Sequence, residues 1–242
     1  MKKALKVSFL GIIAAATSIS AAPLKIDGLT KPADEVKLSA AAPGILTVQK
    51  VKEGDFVTAG TVLFELDKNL EELEVERREL VVEVKKVDFE NTQKLFQNTK
   101  GVAKEEMEKK EREYRLAVVE LKIAKEQLRR RIIIAPFSGV VTEILLDVGE
   151  ACQAQTELAK MVDTQHCVFE AHIDPSLGPR FKVNEPVPLE FDAPEGTMKV
   201  TGKVDYCATV VDRASGLLRV KAVFENPEGK IRPGVAGKIS LQ

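Results

Sequence analysis

The sequence predicts a mainly β protein with an α-helical coiled-coil hairpin, in which a split β-sandwich carries the hairpin and a small β-barrel follows. Three observations predict it: a stretch that occurs twice, a long segment of helix formers between the two copies, and a run of short strands after the second. The copies are APGILTVQKVKEGDFVTAG at 42–60 and APFSGVVTEILLDVGEACQAQ at 135–155. With Gly44 laid on Gly139, the register holds at a constant offset of 95 positions: Thr47 meets Thr142, Gly54 meets Gly149, Asp55 meets Glu150 and Leu63 meets Leu158.

The chain opens with MKKALKVSFLGIIAAATSISAAP. Lys2, Lys3 and Lys6 precede an apolar run from Val7 to Ser20 that ends in Ala21 and Ala22, the layout of a secretory signal. A run of about 13 residues is shorter than the roughly 17 to 25 that cross a bilayer, so residues 1–21 are expected to be cleaved off after Ala21. Residues 22–41 form an N-terminal segment expected to join the barrel or the sandwich. The first half of the sandwich is placed at 42–67 and the second at 132–162. Each half alternates β-branched segments with Gly turns, and three or four short strands bury no apolar face alone, so the halves should pack on each other. Gly54 and Gly149 sit where a tight hairpin needs φ > 0.

The interrupting segment, 68–131, has no Pro and a single Gly at 101. On its second arm Met107, Tyr114, Leu121 and Leu128 recur every seven residues, with Ala117 and Ala124 between them. On the first arm Leu73, Leu80 and Val87 do the same, with Leu70 and Val84 between them and Arg77 and Asn91 interrupting the seam. These two seams are expected to zip together. Arms of about 30 residues project roughly 45 Å, reversing near Gly101. A surface so far from any core normally serves contact with another chain. From 163 to 242, strands VFEAHI, PVPLEF, MKVTGKVD, LLRVKAVF and GKISL alternate with Pro, Gly and Asn turns, as a small closed β-domain requires. A helical turn around Pro175 to Arg180 is expected over one barrel end.

Composition excludes several classes. The 36 basic and 37 acidic side chains nearly cancel, so no charge excess points to nucleic acid. Charged residues are 30% of the chain and aromatics 5%, which favours solvated helices over aromatic-lined pockets. Cys152, Cys167 and Cys207 form an odd set that allows one disulfide at most. His166, Cys167 and His172 read as strand residues, so no metal or other cofactor is expected. No G-x-S-x-G, phosphate loop or zinc motif is present, and Asp205 and Asp212 flank a turn without a cleft partner, so no enzyme is expected.

A duplicated half-motif split by a coiled-coil hairpin resembles the HlyD-type periplasmic adaptors, or membrane fusion proteins. The residues that carry the resemblance are GILTVQKVKEGDFVTAGTVLFELD at 44–67, IIIAPFSGVVTEILLDVGE at 132–150 and DRASGLLRVKAVFENPEGKIRPGVAGKISL at 212–241. The resemblance implies that the sandwich is a lipoyl-like domain. It further implies a periplasmic, non-catalytic subunit of efflux systems that assembles into a homo-oligomeric ring and bridges an inner-membrane transporter to an outer-membrane channel. The residues it implies for channel or neighbour contact are those of the hairpin turn: Gln97, Asn98, Lys100, Gly101, Val102, Ala103 and Lys104. Here the turn departs from the pattern, with Ala103 near the position where such adaptors carry Ser and no Arg present. Many members continue past the barrel into a membrane-proximal domain, so docking on the transporter is expected to rest on the barrel and the N-terminal segment.

Two rival readings make different demands. A lipoyl or biotinyl carrier needs a displayed lysine between the halves, and Lys68 is near that place, but some 60 helical residues follow it and a secretion signal precedes the domain. A non-transport structural coiled-coil protein of the cell envelope predicts stable helical dimers and no transporter.

Overall fold

The computed structural model describes residues 24–99, 103–193, 196–227 and 229–241; the expected signal segment 1–21 lies outside them. The chain starts in a barrel with β1 (Leu24–Pro32) and crosses to a sandwich made of β2 (Glu35–Ser39), β3 (Gly44–Gln49), β4 (Phe56–Val57) and β5 (Val62–Leu66). Two helices follow, α1 (Asn69–Thr99) and α2 (Lys104–Arg129). The sandwich resumes with β6 (Ile132–Ile134), β7 (Gly139–Ile144), β8 (Ala151–Cys152) and β9 (Glu157–Val162). The barrel is then completed by β10 (His166–Ile173), a 3-10 turn at Pro175–Arg180, β11 (Pro186–Ala193), β12 (Gly196–Cys207), β13 (Leu218–Glu225) and β14 (Ala236–Leu241). This is the mainly β fold with a helical hairpin that the sequence predicts.

The sandwich sheets run β2-β9-β7-β4 and β6-β5-β3-β8, so each sheet contains strands of both copies. Phe56 of the first copy pairs with Val140 of the second, and Cys152 of the second with Gly44 of the first. The exchange is reciprocal down to single hydrogen bonds. The Gly54 N–H donates to Val141 O at 2.8 Å, and the Gly149 N–H donates to Leu46 O at 2.8 Å, the same bond seen from the other copy. Likewise Gly60 N–H donates to Ala135 O and Gln155 N–H to Ala40 O, both at 2.8 Å. Gly60 and Gln155 both take positive φ, 83° and 70°, so the second copy keeps the turn although it lacks the glycine. Equivalent side chains meet in one core: Leu46 with Val141, Leu63 with Leu158 and Leu66 with Met161 are buried without exposure. Neither half has a core of its own, which ties the integrity of each to the other.

The barrel closes in the order β1-β10-β13-β12-β11-β14, with β14 pairing back onto β1. Phe169, Phe191 and Phe224 fill it, the first pair edge to face at 5.8 Å and the second at 5.1 Å. Two glycines make room for these rings: a Cβ at Gly28 would stand 2.5 Å from the Phe169 ring, and one at Gly237 would stand 2.4 Å from the Phe191 ring. The N-terminal segment divides between the domains, β1 entering the barrel and β2 the sandwich. The two crossings run side by side, with Ala33 N–H donating to His166 O at 3.0 Å and Asp163 N–H to Asp34 O at 2.8 Å. Asp163 is buried, which alone would raise its pKa, but the N–H groups of His166 and Gln165 and the His166 ring outweigh burial and lower it. Cys152, Cys167 and Cys207 are free thiols.

Candidate functional site: the hairpin and its faces

The hairpin leaves the sandwich on a fixed base. Leu66 N–H donates to Arg131 O and Asp67 N–H to Ile45 O, both at 2.8 Å, so both helix roots are stitched to the sheet. The Arg131 guanidinium donates through Nε and Nη2 to Glu71 Oε1 at 2.9 and 2.6 Å, and through Nη1 to the Pro43 carbonyl. Acidic Glu71 and Glu72 stand in the first turn of α1, where the helix dipole favours them. Above the base, Arg78 Nη1 bonds Glu120, Lys85 Nζ bonds Glu113 at 2.8 Å, and Phe89 stacks on Tyr114 at 6.2 Å. Ala117 and Ala124, 5% and 3% exposed, bring the backbones together between these rungs.

The second arm therefore packs along the seam its heptads predict. The first arm does not. Leu70, Leu73, Leu80, Val84 and Val87 are exposed, Leu80 by 59%, and point to solvent. The inward positions of α1 are Val75, Val82, Phe89 and Phe96, all partly buried, alternating with Glu71, Arg78 and Lys85. This corrects the expected seam: α1 carries two seven-residue apolar rows, and the one turned inward is the row whose intervening charges find opposite charges on α2. The pairing leaves its mark on titration, since Lys85 lowers the pKa of Glu113 and Glu113 in turn raises that of Lys85. Charge matching at 78, 85, 113 and 120 was the sequence signal for the true seam.

Both arms thus keep an apolar row outside. On α2 it is Leu116, Val119 and Ile123, with Leu116 61% exposed. Since Arg78 faces Glu120 and Lys85 faces Glu113, Leu80 and Val84 of α1 stand level with residues 114–118 of α2, beside Leu116 and Val119. The flanking charges differ in sign. Glu72, Glu76, Glu83 and Asp88 border the outer row of α1, with Arg77 inside the row, bonded to Glu74, and Lys94 near its end, while Glu79 pairs with Lys125 of α2 at 2.8 Å. Lys109, Arg112, Arg115, Lys122, Arg129 and Arg130 border that of α2.

Of the turn residues singled out in the sequence, Gln97 and Asn98 are exposed in the last turn of α1. Ala103, with φ −65° and ψ 145°, caps α2 without a side-chain bond, and Lys104 Nζ lies 3.4 Å from Glu108. Lys100, Gly101 and Val102 lie outside the described residues. Lys68, the lysine a carrier would display, is held by Glu65 at 2.8 Å and Glu72 at 3.2 Å, and these contacts, Glu65 first, raise its pKa. His166 pairs with Asp163 at 2.7 Å, and among the described residues no group of three or more potential ligands could hold a metal. No helix among the described residues is long and apolar enough to cross a membrane.

The barrel-sandwich hybrid domain of RND membrane fusion proteins matches residues 34–164, more than half of the chain. Over 215 residues the chain is 23% identical to an uncharacterized protein of Haemophilus influenzae, covering 88% of this chain and 56% of that one, so it spans little more than half the length of that relative. Among solved structures it is similar to a MacA-MexA chimera carrying the MexA α-hairpin domain of Pseudomonas aeruginosa, with TM-score 0.75, 18% identity and coverage of 91% and 81% of the two chains. It is also similar to a membrane fusion protein of Streptococcus pneumoniae, with TM-score 0.68, 15% identity and coverage of 90% and 98%. MacA of Actinobacillus actinomycetemcomitans gives TM-score 0.65, 17% identity and coverage of 91% and 78%. At these identities the solved structures share the fold.

Proposed function

This chain belongs to the RND membrane fusion proteins, and on that premise we propose that it is a non-catalytic periplasmic adaptor of an efflux system, working as a ring of identical copies. The hairpin tips, from Gln97 to Lys104, reach an outer-membrane channel. The barrel end docks on an inner-membrane transporter.

One observation carries the ring: the outer rows of α1 and α2 are level, apolar and bordered mainly by opposite charge. If hairpins stand side by side and parallel, the acidic row of one copy meets the basic row of the next, with Leu80 and Val84 against Leu116 and Val119. Such a contact uses two different surfaces, so each copy has one of each to offer, and the assembly closes as a ring when the rotation allows. Two acidic rows brought together by a two-fold axis would repel, which disfavours an isologous pair.

The test is photo-crosslinking in cells with a reactive residue at Val84, at Gln97 and on the barrel. The Val84 probe is expected to link copies of the chain, the Gln97 probe an outer-membrane protein and the barrel probe an inner-membrane transporter. Copies linked to each other with no membrane protein captured at either end would replace the adaptor by a structural coiled-coil protein of the envelope. Replacing Gly101 and Val102 by bulky charged residues is expected to abolish export while the protein stays folded.

A further inference from the structure

Strand β10 leaves the sandwich at His166 and ends at Ile173, so the barrel end at Ile173 is the one remote from the sandwich. There Ile173 pairs with Leu218, placing the β12–β13 loop, residues 208–217, at that remote end. Strand β1 also begins there: Gly28 pairs with Ala171, and Leu24 lies four residues further out. Residues 22 and 23, which precede Leu24 after the expected cleavage, therefore join the fold at the end that carries the loop.

The loop is built, and its tip is apolar. Asp212 Oδ1 accepts from the N–H groups of Ala214 and Ser215 at 3.0 and 2.8 Å and from Ser215 Oγ at 2.9 Å, while Asp212 N–H donates to Leu217 O at 3.0 Å. This frame holds Val210 outward with 77% of its surface exposed, next to exposed Val211. Beneath the tip is a groove of about 600 Å³ lined by His172, Tyr206, Arg213, Leu217 and Arg219. Arg219 lies over the Tyr206 ring at 5.9 Å. Among the described residues neither Arg213 nor Arg219 forms an ion pair: Asp212 is spent on the turn, and Glu170 is taken by Lys31 at 3.0 Å. The hairpin arginines Arg77, Arg78, Arg129 and Arg131, by contrast, each bond a glutamate.

We propose that this loop and groove bind the surface of an anionic phospholipid bilayer, with Val210 and Val211 entering the interface and the Arg213 and Arg219 guanidiniums holding a lipid phosphate against Tyr206. Arginine forks match phosphate oxygens, tyrosine is at home at headgroup depth, and the two valines beside them supply apolar surface for the interface. The loop, the groove and the start of β1 all lie at the barrel end remote from the sandwich, so this face is free of the rest of the described fold. The inference uses the adaptor reading only to place the chain beside a membrane.

The sequence contains no Trp, so Val210→Trp creates a single reporter, and Val148→Trp in an exposed sandwich turn creates its control. The full chain carrying either is reconstituted with vesicles of phosphatidylglycerol and phosphatidylcholine, or of phosphatidylcholine alone, after circular dichroism has shown an unchanged fold. Emission of the Val210→Trp protein should shift to the blue and be quenched by brominated acyl chains on the anionic vesicles, while the control stays as in solution. Adding Arg213→Gln and Arg219→Gln should weaken insertion by roughly 30-fold, about fivefold for each cation near an anionic surface. An unshifted Val210→Trp spectrum, equal quenching of the control or an unaffected double-arginine variant overturns the proposal. Full release of the loop by millimolar inorganic phosphate would also overturn it, identifying free phosphate as the ligand. The crosslinks that test the adaptor do not depend on any of these outcomes.

Discussion

The two arms of the hairpin share one seam yet show solvent opposite surfaces. Both carry an apolar row on the outside at the same height, but that of α1 is bordered mainly by acids, Arg77 apart, and that of α2 mainly by bases. Their inner faces differ as well. α2 contributes small and apolar residues, Ala117, Ala124, Tyr114 and Leu121, with acids at Glu113 and Glu120, whereas α1 contributes the bases Arg78 and Lys85 between larger apolar residues. A two-helix hairpin buries only one stripe of each helix, so a helix with two apolar rows must leave one unpaired. The difference between the arms therefore reads as a division of labour: the inner faces fix the register through ion pairs, and the outer faces are left for a neighbour.

The strongest way to break this comparison is a charge placed on the inner face. Ala124→Glu puts an unpaired carboxylate where the structure leaves 3% exposure and is expected to destabilise the hairpin by on the order of 3 kcal/mol. Urea unfolding followed by helical ellipticity measures it; a midpoint equal to wild type would mean that the arms do not pack at Ala124. A smaller loss is expected at the root. Arg131→Met removes both bonds to Glu71 and the one to Pro43, costing about 2 kcal/mol in the same assay.

One position from Ala124, the outer face should behave in the opposite way. Ile123→Glu is expected to leave monomer stability within about 0.5 kcal/mol of wild type while abolishing self-association in sedimentation velocity. Leu80→Lys on the other arm should do the same. If either variant still assembles, the outer rows are not the contact between copies.

The smallest effect concerns what the arms have in common. Glu74 on α1 is held down to about 2 by Arg77 and then Arg78, and Glu126 on α2 to about 2 by Arg129 and then, more weakly, Arg130, against an ordinary 4.5. A carboxylate whose pKa is lower folded than unfolded stabilises the fold above its unfolded value and loses that contribution as pH falls through its folded value. Helicity should therefore weaken between about pH 4.5 and pH 2. The shift is small because these groups are solvated and screened. Glu74→Gln with Glu126→Gln should flatten that part of the pH profile, and an unchanged slope would mean that the pairs contribute nothing.

Much of the fold was legible. The 95-residue offset announced a duplicated unit, and it recurs in the structure as reciprocal hydrogen bonds from Gly54 and Gly149. Five barrel strands stood out by alternation and turn residues. The sixth, β1, did not, because LKIDGLTKP alternates weakly and both its partners, β10 and β14, lie more than a hundred residues away in sequence. The first-arm seam misled for a related reason. Leu73, Leu80 and Val87 form the more apolar row of α1, and apolarity ranks rows within one helix without saying which one meets the partner. Helix α1 ends at Thr99 and α2 starts at Lys104, on either side of the stretch in which the sequence expects the reversal, while Gly101 itself lies outside the described residues.

By itself the sequence determined what depends on neighbours along the chain: the strand and helix periods, the glycine turns and the fact of repetition. Only the tertiary structure decided which face of α1 is inside, which domain receives β1, and how the copies exchange strands. Those choices are settled by groups distant in sequence, such as Glu113 for Lys85 or Val141 for Gly54, whose charge or hydrogen bond selects one of several local arrangements of nearly equal merit.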